Sequence, residues 1–331
     1  IFRATFSEDV SGVDTTDFSV SGSTATATSV SPVSASVYDV TVSGGDLAGL
    51  DGTVGINFAP AMNITDLAGN ALPNTAPSVN QTYVLDNTPP STISFTRQTP
   101  SASPTNADTL VFRVTFSEGV TGVGTADFAV SGTTATPSGV ATVSASVYDV
   151  TISGGDLASF NGVVGLNFSG APSIIDQIGN PLPGTEPTLD ETYTVDNIAP
   201  VVSFSSTPAD PTSQTSYNFD FSANEAVSGY TCTLQSGLGV LSGPEACVSP
   251  VTGSVGVDET YTFQVSATDL AGNSGNASYT WTVETVQPNV SINKAAGQAD
   301  PANSGPINFT VVFDEPVTDF LTGDVTLGGS T

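Results

Sequence analysis

Carboxylates are the groups in this sequence best placed to do chemistry, and they recur in fixed company. A loop Asp176-Gln177-Ile178-Gly179-Asn180 has counterparts in Asp66-Leu67-Ala68-Gly69-Asn70 and Asp269-Leu270-Ala271-Gly272-Asn273. A second element, Asp86-Asn87, returns as Asp196-Asn197, each time just ahead of a proline-bearing step. A third is a lone glutamate after an apolar run: Glu8, Glu118, Glu225 and Glu315, with Glu284 closing a later run. Two or three carboxylates, an asparagine carbonyl and backbone oxygens form a hard-oxygen set that suits Ca2+. The competing reading is that Asp and Asn at such positions close turns and do nothing more.

Other chemistries find little support. The chain has no histidine, so neither a Ser-His-Asp nor a Cys-His arrangement can be built, and zinc lacks its usual ligands. Acid pairs for glycoside hydrolysis would be unique to one place, whereas these carboxylates recur in every repeat, which points to architecture. No catalytic residue is expected, and the chain is not expected to be an enzyme. Cys232 and Cys247 are the only cysteines. They fall in adjacent strand segments and either form a disulfide or remain a buried free pair. A bridge closing such a loop is worth about 3 kcal/mol and fits an exported protein.

The elements that must position these groups come in repeats. Phe2-Arg3-Ala4-Thr5-Phe6-Ser7-Glu8 returns as Phe112-Arg113-Val114-Thr115-Phe116-Ser117-Glu118, an offset of 110. The offset holds without a gap through Tyr38 and Tyr148, Asp66 and Asp176, and Tyr83 and Tyr193. A period this long is a whole domain, longer than a solenoid unit of about 20–50 residues. Inside a repeat the period is two: Phe112, Val114 and Phe116 alternate with Arg113, Thr115 and Ser117. Such alternation, broken by Gly, Pro, Asp and Asn, predicts half-buried strands in an antiparallel sandwich of immunoglobulin type. The expected division is 1–87 (its first strand missing), 88–197, 198–284 (a variant holding the cysteines) and 285–331 (partial). In each sandwich the glutamate, the Asp-to-Asn loop and the incoming linker should share one pole. The sets are then Asp86-Asn87, Glu118 and Asp176 to Asn180 at one joint, and Asp196-Asn197, Glu225 and Asp269 to Asn273 at the next. The repeated aromatics, Phe2, Phe6, Phe18, Phe58 and Tyr83 among them, read as core.

Composition narrows the partners. Against 32 acidic residues stand 4 basic ones, for a net charge of −28. No basic patch exists, which argues against nucleic acid and against an anionic membrane. No apolar run approaches the ~18 residues of a membrane span. Self-repulsion on this scale would be relieved by cations or salt, so a salt-rich or calcium-containing exterior is expected. The chain reads as a window on a longer periodic array.

At this point the residues resemble bacterial immunoglobulin-like repeats of large secreted or cell-surface proteins. The resemblance rests on Val114-Thr115-Phe116-Ser117-Glu118-Gly119-Val120, Thr151-Ile152-Ser153-Gly154-Gly155-Asp156-Leu157, Asp66 to Asn70 and Val195-Asp196-Asn197-Ile198-Ala199-Pro200. It implies an all-β chain of tandem immunoglobulin-like sandwiches in an elongated array. The role implied is that of a stalk, spacer or filament subunit of an adhesin or surface filament. The Asp-Asn-x-x-Pro joint is also similar to the calcium-binding linkers of cadherins. The implied partners are further repeats of the same chain and, in a filament, other copies. The alternative is an adhesive module that grips a glycan or protein through sandwich loops, for which the Gln235 to Ala246 loop is the best candidate.

Overall fold

The computed structural model describes residues 1–256 and 258–328. They fall into two compact units, Ile1–Asn197 and Ile198–Thr331. Among the described residues all regular structure is β apart from single-turn 3-10 segments. Among the described residues no helix is long and apolar enough to cross a membrane.

The second repeat shows the architecture in full. Its main strands are Thr92–Thr99, Thr109–Phe116, Phe128–Ser131, Thr136–Ser144, Val147–Ser153, Gly162–Phe168 and Tyr193–Val195. One sheet runs in the order fourth, fifth, second, first, and the other in the order third, sixth, seventh. That is the strand order of an immunoglobulin constant-type sandwich. Period-two alternation along Thr109–Phe116 turns Leu110, Phe112, Val114 and Phe116 inward, all essentially buried. They meet Phe95, Val150, Ile152, Val164, Leu166, Tyr193 and Val195 in one continuous core. The chain leaves one sheet for the other at Gly132, whose φ is +89°. A β-carbon there would lie 1.9 Å from the Val163 carbonyl oxygen, so only glycine fits the crossing. Gly22 meets the Thr53 carbonyl oxygen in the same way at 2.0 Å.

The first repeat has the same two sheets without counterparts of Thr92–Thr99 and of the short strand Leu189–Asp190. Phe2–Thr5 pairs with Val37–Ser43, which pairs with Thr26–Ser34; Phe18–Ser21, Gly52–Phe58 and Tyr83–Leu85 form the other sheet. No strand lies on the outer edge of Phe2–Thr5 among the described residues. The aromatic set is consequently not all core. Phe2 and Phe18 are buried, Phe6 and Phe58 are half-buried, and Tyr83 is 51% exposed. The expectation of a uniform aromatic core fails here, because alternation marks a face without supplying what covers it.

In the second unit the third repeat is also a sandwich, but one strand has changed sheets. Val202–Ser206, Ser216–Ala223 and Val251–Ser254 form one sheet; Gly239–Cys247, Val227–Ser236, Glu259–Asp269 and Ser274–Val283 form the other, in that order. The stretch read as a Gln235 to Ala246 loop is therefore a hairpin, with Ser236 opposite Gly239. Its Gly, Ser and Pro content hides the strand period. Cys232 and Cys247 are joined by a disulfide that ties the hairpin's two strands together. Trp281 packs in this core against Tyr217, Phe219 and Tyr261. Beyond it, Val290–Lys294 pairs with Phe309–Phe313 as a two-stranded ribbon.

Candidate metal centre

Three carboxylates converge where the first repeat hands over to the second. Ligand oxygens of Asp86, Glu118 and Asp176 lie within 4.8 Å of one another. Each arrives on a different element. Asp86 follows Tyr83–Leu85, Glu118 follows Thr109–Phe116, and Asp176 ends a short strand, Ile175–Asp176. The elements are held by backbone bonds. Val120 and Thr121 pair with Asp176 and Ile175, the Ser117 amide donates to the Ser91 carbonyl, and the Asn180 amide nitrogen donates to the Asp86 carbonyl.

Asp176 is buried, with 1% of its surface exposed. Its Oδ1 accepts from the backbone amides of Ile178, Gly179 and Asn180, and its Oδ2 from the Asn180 side chain. Burial opposes its ionisation, but these hydrogen bonds, led by the Asn180 side chain, outweigh that and hold its pKa below the usual range. Oδ1 is saturated, so Oδ2 is the atom left to face a cation. Glu118 behaves oppositely. Burial, then the charges of Asp86, Asp176 and Asp51, pushes its pKa up. Asp51 was not anticipated. It accepts from the Asn87 amide and the Thr88 hydroxyl and so fastens the linker to the first repeat. Asn161, at the same place in the second repeat, accepts from the Asn197 amide in the same way, a signal the 110-residue offset contains.

The asparagines use their side-chain nitrogens within the loops, which leaves the carbonyl oxygen as the end that a cation would use. Asn70, Asn180 and Asn273 each donate their side-chain nitrogen to the aspartate four residues earlier. Asn87 and Asn197 donate theirs to carbonyls of the Leu47–Leu50 and Leu157–Phe160 turns. These bonds brace the loops. Asp66 is half-buried, and its pKa is held down first by the Asn70 side chain; Glu8 is exposed. Asp196 is the next-to-last residue of the first unit, its amide donating to the Thr105 carbonyl.

In the second unit Asp269 repeats the Asp176 arrangement, accepting from Ala271, Gly272 and Asn273. Glu225 is half-buried and follows Ser216–Ala223. Glu284 and Glu315 come together in this unit, and burial followed by the Glu284 charge raises the Glu315 pKa.

The donor set of Asp86, Glu118 and Asp176 fits a hard cation. It holds only oxygen ligands, and the protein supplies no countercharge there. All four cationic side chains are paired elsewhere: Arg3 with Asp39, Arg97 with Glu191, Arg113 with Asp149, and Lys294 with Asp300.

No protein-family model and no curated protein matches the chain. Among solved structures it is similar to dimeric latent PorU from Porphyromonas gingivalis, at 15% identity and a TM-score of 0.20, covering 76% of this chain and 26% of that one. It is also similar to the ectodomain (Ig1–Ig3) of mouse nectin-like molecule 4, at 11% identity and a TM-score of 0.27, covering 81% of each. The fold assignment stands on the strand pairing itself: the chain is all-β, built of tandem immunoglobulin-like antiparallel sandwiches.

Proposed function

We propose that the chain is a structural repeat segment of an extracellular or cell-surface protein, acting as a stiff spacer or filament subunit. Ca2+ locks the joint between the first and second repeats. The observation that supports this best is the meeting of Asp86, Glu118 and Asp176 at that joint without a cationic partner. A bound divalent ion would neutralise charges that otherwise repel, and would tie the linker, the Glu118 turn and the Asp176 loop to one centre. Ca2+ tolerates irregular oxygen shells and keeps waters, which suits a site with three protein carboxylates. The disulfide in the second unit fits an oxidising exterior.

Thermal unfolding in calcium and in chelator tests the reading. Extracellular calcium modules bind with Kd of about 10⁻⁴–10⁻³ M, so about 10 mM calcium should stabilise the first unit by roughly 1.4–2.7 kcal/mol. Asp86→Asn should remove most of that gain. A melting curve and a scattering profile that ignore calcium would defeat the calcium part and leave the spacer reading to stand on the repeats alone.

A further inference from the structure

An asparagine that precedes glycine is the asparagine most prone to lose its side-chain amide, because glycine has no side chain to keep its backbone nitrogen from the neighbouring side-chain carbonyl. Of all the asparagines in the sequence, only Asn161 precedes a glycine. It lies just ahead of the strand Gly162–Phe168 and is exposed. Its Oδ1 accepts from the Asn197 backbone amide at 2.7 Å, and its Nδ2 donates to the Ser159 carbonyl at 3.2 Å. The Asn197 side chain donates in turn to the carbonyls of Leu157 and Phe160. Asn161 and Asn197 together thus clasp the linker to the second repeat. The first repeat has Asp51-Gly52 at the same offset. There a carboxylate does the clasping, accepting from the Asn87 amide at 2.6 Å and from the Thr88 hydroxyl.

We propose that Asn161 is a deamidation site, and that its aspartate product gives the second clasp the carboxylate that the first clasp already has. The Gly162 backbone nitrogen attacks Cγ of Asn161 and closes a succinimide ring. The side-chain nitrogen leaves as ammonia, taking the proton that the Gly162 nitrogen gives up. Water then opens the ring. Breaking the new C–N bond leaves aspartate; breaking the original peptide bond leaves isoaspartate, with the main chain running through the side-chain carbons. One water is consumed and one ammonia released, with no oxidant or cofactor. Two features favour the first step. Exposure lets ammonia leave and water enter. Negative charge develops on Oδ1 as the nitrogen adds, and the Asn197 amide already donates to that atom. The two products act oppositely on the clasp. Aspartate loses the bond to Ser159 but keeps an acceptor for the Asn197 amide, as Asp51 does for Asn87. Isoaspartate inserts a methylene into the main chain ahead of Gly162, which faces Val195 across the sheet, and so pulls the acceptor away from Asn197.

The test ages the full chain in mildly alkaline buffer and follows every asparagine by peptide mapping. Conversion of amide to acid at Asn161 should run at least tenfold faster than at any other asparagine, with both products present and free ammonia rising in step. Asn161→Asp imitates one product. It should melt as the unaged chain does and keep the Asn197 amide slow to exchange. The isoaspartate form, separated chromatographically, should exchange that amide at least tenfold faster. Gly162→Ala is not a clean control, because its methyl would lie 3.0 Å from the Phe160 ring; the chain in denaturant serves instead. Fast conversion in denaturant with none in the folded chain would mean that the clasp shields Asn161, and overturns the proposal. Conversion at Asn161 no faster than at Asn70 or Asn276 does the same. An isoaspartate form whose Asn197 amide stays protected, or an Asn161→Asp chain that loses that protection, overturns the assigned roles of the two products.

Discussion

The first and second repeats are nearly the same sentence written twice, yet they differ in how far their shared residues are buried. Tyr193 is fully buried and Tyr83 is half in solvent; Leu166 is buried and Ile56 is not. The residues, the register and the sheet order agree in both. The strand Thr92–Thr99, with the short Leu189–Asp190 that pairs on it, separates them. Its Phe95 fills the centre of the sandwich, and its backbone closes an edge that is open in the first repeat. In this fold, then, a side-chain pattern prepares a core, and a strand lying earlier in the sequence completes it.

The comparison breaks most visibly if the strand is kept and its key removed. Phe95→Ala should destabilise the second repeat by about 3–5 kcal/mol, the usual range for a buried phenylalanine. Its Tyr193 should then become as accessible as Tyr83, readable by denaturant unfolding and by tyrosine accessibility. A loss below about 1 kcal/mol would mean that the open first repeat is no model for an unsealed second one.

The third repeat keeps a covering first strand, Val202–Ser206, but arranges its middle strands differently and so serves as an outside standard. Its fourth strand lies beside the third, and the Cys232–Cys247 disulfide fastens the two. Replacing both cysteines by alanine should lower the stability of the second unit by about 3 kcal/mol, the expected effect of a loop of this size. Thermal unfolding should leave the first unit unchanged.

Much of this architecture is legible in the residues. The 110-residue offset identifies equivalent positions, and alternation identifies the inner strands. Other parts are hidden for physical reasons. Thr26–Ser34 and Thr136–Ser144 are mostly exposed edge strands containing Pro32 and Pro137, which an edge tolerates. They have little buried face and therefore no apolar period. Gly239–Cys247 is masked in the same way. The carboxylates of the joint could be picked out because they recur, but the asparagine side chains could not be assigned. An amide presents a donor at one end and an acceptor at the other, and only the fold shows Asn180 turning its nitrogen to Asp176. The offset does show that 1–87 lacks its first strand, but the period of a face does not say which of its side chains that strand would cover, which is why Tyr83 reads as core.

That tyrosine sharpens the comparison at a single oxygen. The Tyr193 hydroxyl donates to the Val111 carbonyl at 2.8 Å and accepts from the Gln98 amide of the sealing strand. The Tyr83 hydroxyl donates to the Ile1 carbonyl, also at 2.8 Å, in an exposed setting. Tyr193→Phe should therefore destabilise by about 1–3 kcal/mol, because buried partners lose their bond, whereas Tyr83→Phe should stay below about 0.5 kcal/mol since water replaces it. Equal losses would show that the sealing strand does not govern the difference.

The smallest effect changes sign with the solution. Burial and the neighbouring carboxylates raise the Glu118 pKa in the folded state, so folding favours its protonated form. The stability this contributes is fully present below the ordinary glutamate pKa of about 4.3 and is lost as pH rises through the raised value. At neutral pH without a cation, Glu118 is one negative charge too many in a crowded place. Glu118→Gln should then raise the melting temperature in chelator by about 1–3 °C, the shift produced by a few tenths of a kcal/mol, and the gain should vanish near pH 4. In calcium the same substitution removes a ligand and should lower the melting temperature. Glu8→Gln, at the equivalent but exposed position, should do neither. If the Glu118 variant is stabilised equally with and without calcium, the carboxylates of the joint repel one another but do not share an ion.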